Sequence, residues 1–451
     1  MLAVIFIVLE SSTIGKEYFQ PSLSKEESAV TWNSSRIGTN EKTDNFPESK
    51  TEFHSDDEKY ITYLPHSGLN NQRIELQNAI TVAYLLNRTL ILPPLILGSR
   101  LAYADFDRLT KKLAKLSAER SKDVCERIIK KKESETNEES IRQKLNFKEC
   151  EKFHDAYALY RWDRLFDFKF VRQHVRIIHR KDFNDTELYK TINIEKNTSN
   201  AIYYIKHGPH AHRFFEHTPK NISSRVHIDL ISDLRNSSTK LIYVASFFGP
   251  KRVVCQLPTS CEFIKKLQKF VPSHPVVHQV VNAIVEELGG RFNFMSAHAR
   301  VNDGHFMRDR NNRVNRLINK IKVGLTKDRK RISKSTNITR IQEECTKRFP
   351  DDNRTRAILY LATDAPPHSP TIQPLIKEFP CTYTLSDFSK QLEPLLKLKN
   401  TRGGDKHLGK FLMPVVDLMV AANGGKVYIL NRSTFGSYLM AYHRTLGKAK
   451  S

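Results

Sequence analysis

Apolar and polar positions along the chain alternate in blocks that predict strands followed by helices. A short β-rich run at 60–64 comes first and leads into a helical segment. Five apolar residues of that segment recur at helical spacing: Leu76, Ala79, Ile80, Ala83 and Leu86. A second strand at 90–92 stops at Pro93 and Pro94, since proline lacks the N–H that a strand donates. This strand–helix–strand unit predicts a parallel sheet.

The pattern divides the chain into two α/β series. The first series carries a charged helical insertion at 105–155. The chain breaks around 272–275, and the second series begins with a helix at 276–288 that ends at a pair of glycines. The predicted domains are therefore 59–272, with the insertion, and 273–446.

Polar residues follow the first strand of the second series. In the sequence FNFMSAHARVNDGH, the pattern predicts a strand at 292–297, after which come His298, Arg300 and Asp303. In open α/β sheets, ligands bind outside the carboxyl ends of the strands. These three side chains are therefore candidate ligand contacts.

Two further strands of this series end in polar residues. A buried strand at 357–362 delivers Asp364, and a strand at 426–430 leads into Ser433 and Thr434. The two hydroxyl residues stand where the N-cap of a helix is expected. Three strand ends thus bring an arginine, an aspartate and a hydroxyl pair to one edge of the sheet.

This combination suits a nucleoside diphosphate. Arg300 can contact two phosphate oxygens at once, which lysine cannot do with the same geometry. Ser433, Thr434 and the free amides of their helix make a second phosphate cradle. Asp364 can accept from the donor edge of a guanine, and Phe435 can pack on the base or on the core.

Each candidate also has a purely structural interpretation. Arg300 and Asp303 can form an ion pair, Asp364 can be a turn residue, and Ser433 or Thr434 can be an ordinary helix cap. Their coincidence at one sheet edge is what favours a binding site.

Charge narrows the partners to anions. The 451-residue chain has a formal net charge of +24, and its densest basic run lies at 327–334. Such a surplus favours nucleic acid, acidic membrane, polyanionic glycan or a nucleotide diphosphate, although the run can also be a solvated surface loop. The basic residues are scattered with few aromatics between them, so we expect no nucleic-acid partner.

Several features are typical of the secretory pathway. The apolar run at 2–9 is too short to span a bilayer and fits a truncated signal or signal-anchor, and 10–58 has the composition of a disordered stem. The six cysteines show no CxxC spacing, which argues against zinc, and Cys255 and Cys261 form the easiest disulfide loop to close. N-glycosylation sequons occur, among other positions, at Asn33, Asn184, Asn197, Asn221, Asn236, Asn337 and Asn353. We therefore expect a lumenal protein of the ER or Golgi, secreted or held as a type II membrane protein.

Taken together, these motifs resemble the GDP-fucose protein O-fucosyltransferase superfamily, and especially its fungal branch. The matching patterns are HxR with a following acid, ATD at Asp364, a helix with Asp417 before VAANGG, and STF from Ser433. The stretch PHSGLNNQRIELQNA is similar to the GxN motif of that family. The resemblance runs in order over about residues 60–445.

The resemblance implies a GT-B architecture, in which two Rossmann-like domains face each other across a cleft. It also implies inverting, metal-independent transfer of fucose from GDP-fucose, with Arg300 stabilising the β-phosphate leaving group. No other cofactor is expected. The donor-binding residues that the resemblance implies are Gly68, Asn70, His298, Arg300, Asp303, Asp364, Ser433, Thr434 and Phe435.

The start of the first helix bears on the same donor. Its first turn carries Asn70 and Arg73, and a cation at a helix N-terminus opposes the macrodipole at a cost of roughly 0.3–1 kcal/mol. An anionic ligand at this helix start would make the arrangement less anomalous.

The catalytic base is the point at which the sequence departs from the family. Some relatives carry a glutamate directly before the GxN glycine, but Ser67 stands here, and a neutral serine cannot replace a carboxylate. His66 and Glu75 are the candidate bases, since histidine titrates near neutral pH and Glu75 lies one to two helical turns further on. A strongly dissociative reaction would need no strong base.

The sequence therefore predicts a fucosyltransferase that acts on a Ser or Thr hydroxyl of a protein acceptor. Two alternatives stay open. The chain can be a GDP-sugar transferase with a glycan acceptor, or an inactive relative that binds polyanions and would show salt-sensitive binding without GDP affinity.

Overall fold

Two parallel β-sheets, one from each half of the chain, form the framework of the protein. The computed structural model describes residues 57–98, 101–117, 157–195, 200–208, 212–219, 226–302, 304–332, 340–348, 358–398, 408–430 and 433–448. Most strands of the two sheets are buried on both faces, which is typical of parallel sheets covered by helices.

The first half of the chain contains ten strands and six α-helices within the described residues. The strands are β1 (Tyr60–Tyr63), β2 (Thr89–Leu92), β3 (Leu95–Gly98), β4 (Tyr157–Tyr160), β5 (Ile177–His179), β6 (Ile202–Ile205), β7 (His212–Phe215), β8 (Val226–Asp229), β9 (Leu241–Val244) and β10 (Val253–Val254). The helices are α1 (Leu69–Leu86), α2 (Phe106–Ser117), α3 (Trp162–Leu165), α4 (Lys169–Arg172), α5 (Asp185–Thr191) and α6 (Pro258–Leu267), with a π-helix at Leu230–Arg235.

The second half alternates strands and helices more regularly. Its strands are β11 (Met295–Ala299), β12 (Leu359–Thr363), β13 (Thr382–Tyr383) and β14 (Lys426–Ile429). Its α-helices are α7 (Pro275–Glu287), α8 (Arg310–Ile332), α9 (Arg340–Arg348), α10 (Gln373–Glu378), α11 (Ser389–Leu396), α12 (Leu408–Ala422) and α13 (Thr434–Lys448), with 3-10 turns at Gly304–Met307 and Leu385–Phe388.

The strand order of each sheet reverses at one point. The first sheet has the order β5-β2-β1-β9-β6 and the second β13-β12-β11-β14, and all their pairs are parallel. The order therefore switches direction between β1 and β9 in one sheet and between β11 and β14 in the other. In doubly wound folds, ligands bind at such switch points, beyond the carboxyl ends of the strands.

Three hydrophobic clusters account for the packing of these sheets. One cluster covers the outer face of the first sheet with α2, and a second covers the second sheet with α8 and α10. The largest contains residues of both sheets and of α1, α7 and α12. The interior is therefore continuous between the two halves of the chain.

The predicted strand–helix–strand unit is confirmed. β1 pairs in parallel with β2, α1 connects them, and β2 ends before Pro93 and Pro94 as expected. Asn87 ends α1 in the left-handed conformation with φ of 51°. Asparagine tolerates this conformation because its short polar side chain bonds locally.

The first strand of the second sheet begins later than predicted. The sequence predicts a strand at 292–297, whereas β11 spans Met295–Ala299. Phe292 has a φ of 66°, and its N–H donates to the carbonyl of Asn423 at 2.8 Å. The residues after the glycine pair therefore form a turn, and His298 lies inside the strand instead of following it.

Other predicted segments are shorter or only partly described. β12 begins at Leu359, and Ala357 of the predicted strand lies outside the described residues. α2 fills the start of the predicted insertion, but 118–156 lies outside the described residues. Glu58, the last residue of the predicted stem, is buried and accepts a hydrogen bond from Tyr60. The boundary at 272 stays a prediction.

The disulfide predicted from the sequence is present. Cys255 and Cys261 are bonded, and Cys345 is bonded to Cys381. The second bond connects α9 to the segment before β13. Both bonds are consistent with an oxidising compartment.

Candidate active site

A cavity of about 780 Å³ lies where the carboxyl ends of the two sheets meet. Its walls include Gly68 and Asn70 at the start of α1, Arg300 after β11, and Ser433 at the start of α13. This volume falls within the roughly 300–1,000 Å³ of small-molecule and cofactor sites. The cavity therefore brings together residues that are more than 360 positions apart in the sequence.

Arg300 supplies positive charge to this cavity. It directly follows β11, whose five residues are all buried, so the backbone beneath it is held by pairing on both sides. Its guanidinium carbon lies 4.8 Å from the ring centroid of Phe306, which also lines the cavity. The side chain is thus held at the edge of the sheet by an aromatic face.

His298 is a neutral group beside Arg300. Burial, with a smaller effect from Arg300, lowers the pKa of His298 to about 3. Its ring stacks on Phe435, with centroids 4.6 Å apart, and both residues line the cavity. Its Nδ1 atom is buried and has no hydrogen-bond partner among the described residues. An unpaired buried nitrogen at a cavity wall is available to a ligand.

The start of α13 is capped as the sequence predicts. The Ser433 hydroxyl accepts from the N–H of Gly436 at 2.9 Å, and Thr434 donates to the side-chain carbonyl of Asn71 at 2.7 Å. Ser433 is therefore a helix cap, and Thr434 connects α13 to α1. By helix geometry the N–H groups of Thr434 and Phe435 have no acceptor within the helix.

A second helix also begins at the cavity. Gly68 is the N-cap residue of α1 and provides no side-chain cap, while Gly68, Leu69 and Asn70 all line the wall. An uncapped helix N-terminus presents free N–H groups and the positive end of the macrodipole. Two helix starts therefore lie at the same cavity as Arg300.

Arg73 does not take part in this arrangement. It is buried, and its guanidinium carbon lies 3.7 Å from the ring centroid of Tyr438 on α13. Its NH1 group donates to Gln77 at 3.0 Å. Packing between α1 and α13 therefore explains why Arg73 stands in the first turn of α1, and a bound anion is not needed to explain it. Asn70 and Asn71 do line the cavity.

Asp364 lies at the cavity, but its carboxylate already has partners. It accepts from the backbone N–H groups of Val301 at 2.8 Å and Asn302 at 3.1 Å. These bonds hold the loop that follows Arg300. The side chain is exposed, so its remaining lone pairs can still accept, and its predicted contact with guanine stays a prediction.

Asp417 is an acid that the sequence analysis names only as part of a family pattern. It lies on α12 and lines the cavity, and its carboxylate accepts from the Tyr360 hydroxyl at 2.7 Å. Burial raises its pKa to about 7, although the Tyr360 hydrogen bond acts in the opposite direction. A lone acid in the apolar sequence LGKFLMPVVDLMVAA was the signal that could have identified it.

The two candidate bases are brought together, but neither lines the cavity. His66 Nε2 is 3.0 Å from Glu75 Oε1, and the Glu75 side chain is fully buried. The His66 ring also contacts Ser67 and Ser246. Both residues lie behind the wall formed by Gly68 and Phe248.

Some predicted features lie outside the described residues or have no counterpart among them. Asp303 lies outside them, as do the side chains at 327–334. Within the described ranges no three His, Cys, Asp or Glu side chains are grouped so that they could hold a metal ion. None of the helices assigned there has the length and apolar character needed to cross a membrane.

Comparison with known proteins gives one short sequence match. No protein-family model matches the chain. A 39-residue segment is 51% identical to O-fucosyltransferase 30 of Arabidopsis thaliana, which covers 9% of the chain and 8% of that relative. The match thus spans less than a tenth of the curated relative.

Solved fucosyltransferase structures are similar over most of the chain, but loosely. POFUT1 in complex with GDP has 13% identity and a TM-score of 0.37, over 86% of this chain and 94% of that one. NodZ alpha-1,6-fucosyltransferase soaked with GDP-fucose has 11% identity and a TM-score of 0.39, over 85% and 92%. The assignment of the site therefore rests on the residues of this chain.

Proposed function

We propose that the chain is a glycosyltransferase that binds GDP-fucose in this cavity and transfers the fucose to a hydroxyl group. One observation carries the proposal: two helix N-termini and Arg300 line a single cavity at the carboxyl ends of two parallel sheets. This combination suits a diphosphate, because free N–H groups, helix dipoles and a guanidinium all stabilise negative charge.

The base and the diphosphate would occupy different walls. We place the guanine against Asp417 in place of the predicted Asp364, whose carboxylate already accepts two backbone N–H groups. Asp417, when ionised, accepts N–H bonds, and the donor edge of guanine supplies two of them. Arg300 and the first turn of α13 would hold the phosphates. Neutral His298 adds no charge beside Arg300, and Lys410 is a second cation that lines the cavity.

Catalysis follows from where charge develops. As the bond between the sugar carbon and the β-phosphate oxygen breaks, the oxygen gains negative charge, and Arg300 stabilises it. Because protein cations and helix dipoles supply this stabilisation, the proposed reaction needs no metal. The acceptor would attack from the side of the first sheet, which inverts the configuration of the sugar carbon.

The finer features of the proposal come from the sequence. A GT-B arrangement fits two parallel sheets whose switch points share one cavity. The HxR, ATD and STF patterns, and the short match to an O-fucosyltransferase, support fucose as the sugar. A Ser or Thr hydroxyl of a protein is the proposed acceptor, and the two disulfides support a location in the secretory pathway.

Calorimetric titration of the full chain with GDP, GDP-fucose, GDP-mannose and UDP tests the donor site. We expect selective binding of the guanine nucleotides in EDTA, and its loss in Arg300→Ala. The matched control is Arg316→Ala, since Arg316 is exposed on α8 and does not line the cavity. Failure of folded protein to bind any nucleotide, with salt-sensitive binding to heparin instead, would favour the polyanion-binding alternative.

A further inference from the structure

A hydrogen-bonded chain runs from half-buried Ser67, which directly precedes the wall residue Gly68, through His66 to the fully buried Glu75. Ser67 Oγ is 2.8 Å from His66 Nδ1, and His66 Nε2 is 3.0 Å from Glu75 Oε1. Ser246 completes the cluster, with its hydroxyl 2.8 Å from both His66 Nε2 and Glu75 Oε1. The mechanism proposed above leaves this buried cluster without a role.

The hydrogen bonds determine which ring nitrogen of His66 carries the proton. Ser246 donates its hydroxyl proton to Glu75 and accepts from the N–H of Phe248 at 3.0 Å. Ionised Glu75 can only accept, and it also accepts the backbone N–H of His66 at 3.2 Å. Neither neighbour of Nε2 has a proton to offer it, so Nε2 carries the proton and Nδ1 has the lone pair. The Ser67 hydroxyl therefore donates to His66 Nδ1.

Ser67 is held rigidly next to the cavity. It directly precedes Gly68, which lines the wall, and it is half-buried. Its N–H donates to the carbonyl of Leu101 at 2.6 Å, and its own carbonyl accepts from Gln72 at 3.1 Å. Its φ is 67°, a conformation that costs a residue other than glycine on the order of 1–3 kcal/mol and is concentrated at functional sites.

The topology places this cluster where a reacting group is expected. His66 and Ser67 follow β1, and Ser246 follows β9, which is the neighbouring strand. The strand order of the first sheet reverses between these two strands. The cluster thus lies at the switch point that corresponds to the position of Arg300 in the second sheet.

We infer that Ser67 relays the proton of the acceptor hydroxyl to His66 during the transfer reaction; this inference depends on the proposed function. The acceptor O–H bond breaks as its proton passes to Ser67 Oγ, and the original Ser67 proton forms a bond with His66 Nδ1. The acceptor oxygen then bonds to the sugar carbon, while the electron pair of the breaking C–O bond leaves with GDP. His66 later releases its proton to solvent. A serine alone is too weak a base, but a serine bonded to a histidine is not.

The groups around His66 favour this step. Glu75 stabilises the imidazolium that forms, in the role that the acid has in Ser-His-Asp triads. Arg252, which donates to the Ser246 carbonyl at 3.4 Å, is a cation and acts against this imidazolium. Tyr103, with its ring 5.0 Å from that of His66, and Tyr63 remain neutral, because burial raises the pKa of both phenols.

The test uses water as the acceptor, since every hydroxyl acceptor loses a proton in the same way. GDP release from GDP-fucose by the full chain is measured at saturating donor as a function of pH. In the wild type, we expect kcat to fall towards acid pH, because the relay ends on a base that must be unprotonated to take the proton. In Ser67→Ala, we expect kcat about 100-fold lower and without this acid-side decline, at the lower end of general-base effects of roughly 10²–10⁴.

Two controls separate catalysis from structure. Ser67→Gly removes the same hydroxyl but relieves the positive φ, so it should be at least as stable as the wild type and equally slow. Ser117→Ala, on α2 and away from the cavity, should match the wild type. GDP affinity should stay within about twofold in all three variants, because the relay does not contact the nucleotide.

The outcomes distinguish the relay from the proposed function. If the wild type binds GDP and releases it from GDP-fucose, but both Ser67 variants keep its kcat and pH profile, the relay is wrong and the transferase proposal stands. If the wild type neither binds GDP nor turns over GDP-fucose, both proposals are overturned. A slow Ser67→Gly with normal GDP affinity and no acid-side decline would support the relay.

Discussion

The affinity of the protein for GDP should depend on pH through Asp417. In the free protein its pKa is about 7, and it must be ionised to accept N–H bonds from guanine. Binding therefore requires loss of a proton below that pH, and acid should weaken it. The apparent Kd is inversely proportional to the ionised fraction of Asp417, so it should be about tenfold higher at about pH 6 than at about pH 8, or roughly 1.4 kcal/mol.

Calorimetry on wild type and Asp417→Asn measures this effect. The phosphates of GDP also titrate in this range, but they do so equally with both proteins, so the difference between the proteins isolates Asp417. Titrations in buffers of different ionisation enthalpy should show about 0.9 more protons released by the wild type than by the variant at about pH 6. An identical pH dependence in both proteins would show that Asp417 does not bind the guanine, as would tighter binding by the wild type in acid.

Three further predictions concern stability. The pKa of Asp417 is raised from its usual 3.8 to about 7, so the stabilisation that its protonated form gives is complete below about pH 3.8 and is lost as the pH rises through about 7. In urea unfolding, the stability of Asp417→Asn should therefore rise relative to that of the wild type between about pH 4 and about pH 8, by on the order of 4 kcal/mol. Ser433→Ala should lose about 1 kcal/mol in the same assay because it removes a helix cap, whereas Ser437→Ala, exposed within α13, should lose little. Arg73→Met should lower stability, since it removes the contact with Tyr438, but calorimetry should show GDP affinity within about twofold of wild type, and a large loss of affinity would place Arg73 in the donor site.

Local patterns in the sequence predict most of the framework. Strands β1, β2, β12 and β14 are short apolar runs bounded by proline, glycine or polar residues. The residues of such a run are enough to predict the strand. The predicted start of β11 is three residues too early, because Phe292 adopts a left-handed conformation in a turn. A hydrogen bond to Asn423, a residue about 130 positions away, stabilises that turn. Contacts of that kind leave no local signal.

In the site, too, some residues could be predicted from local sequence and others depend on distant contacts. Ser433 and Asp364 could be identified because they lie shortly after strands, where function concentrates in α/β sheets. Asp417 lies in the middle of a helix, and its position at the cavity depends on how α12 packs. The cluster of His66, Glu75 and Ser246 depends on β1 and β9 being neighbours, although about 180 residues separate them. Tertiary packing therefore decides what the sequence pattern leaves open.

The stereochemistry of GDP-fucose hydrolysis is the sharpest test of inverting transfer at the proposed donor site. NMR of the first product, with the full chain in EDTA, reports the configuration of the released fucose before it equilibrates in water. We expect release of GDP together with fucose of inverted configuration, at a rate that Arg300→Ala abolishes and Arg316→Ala preserves. Retained configuration, or a rate that is unchanged in Arg300→Ala, would contradict the account.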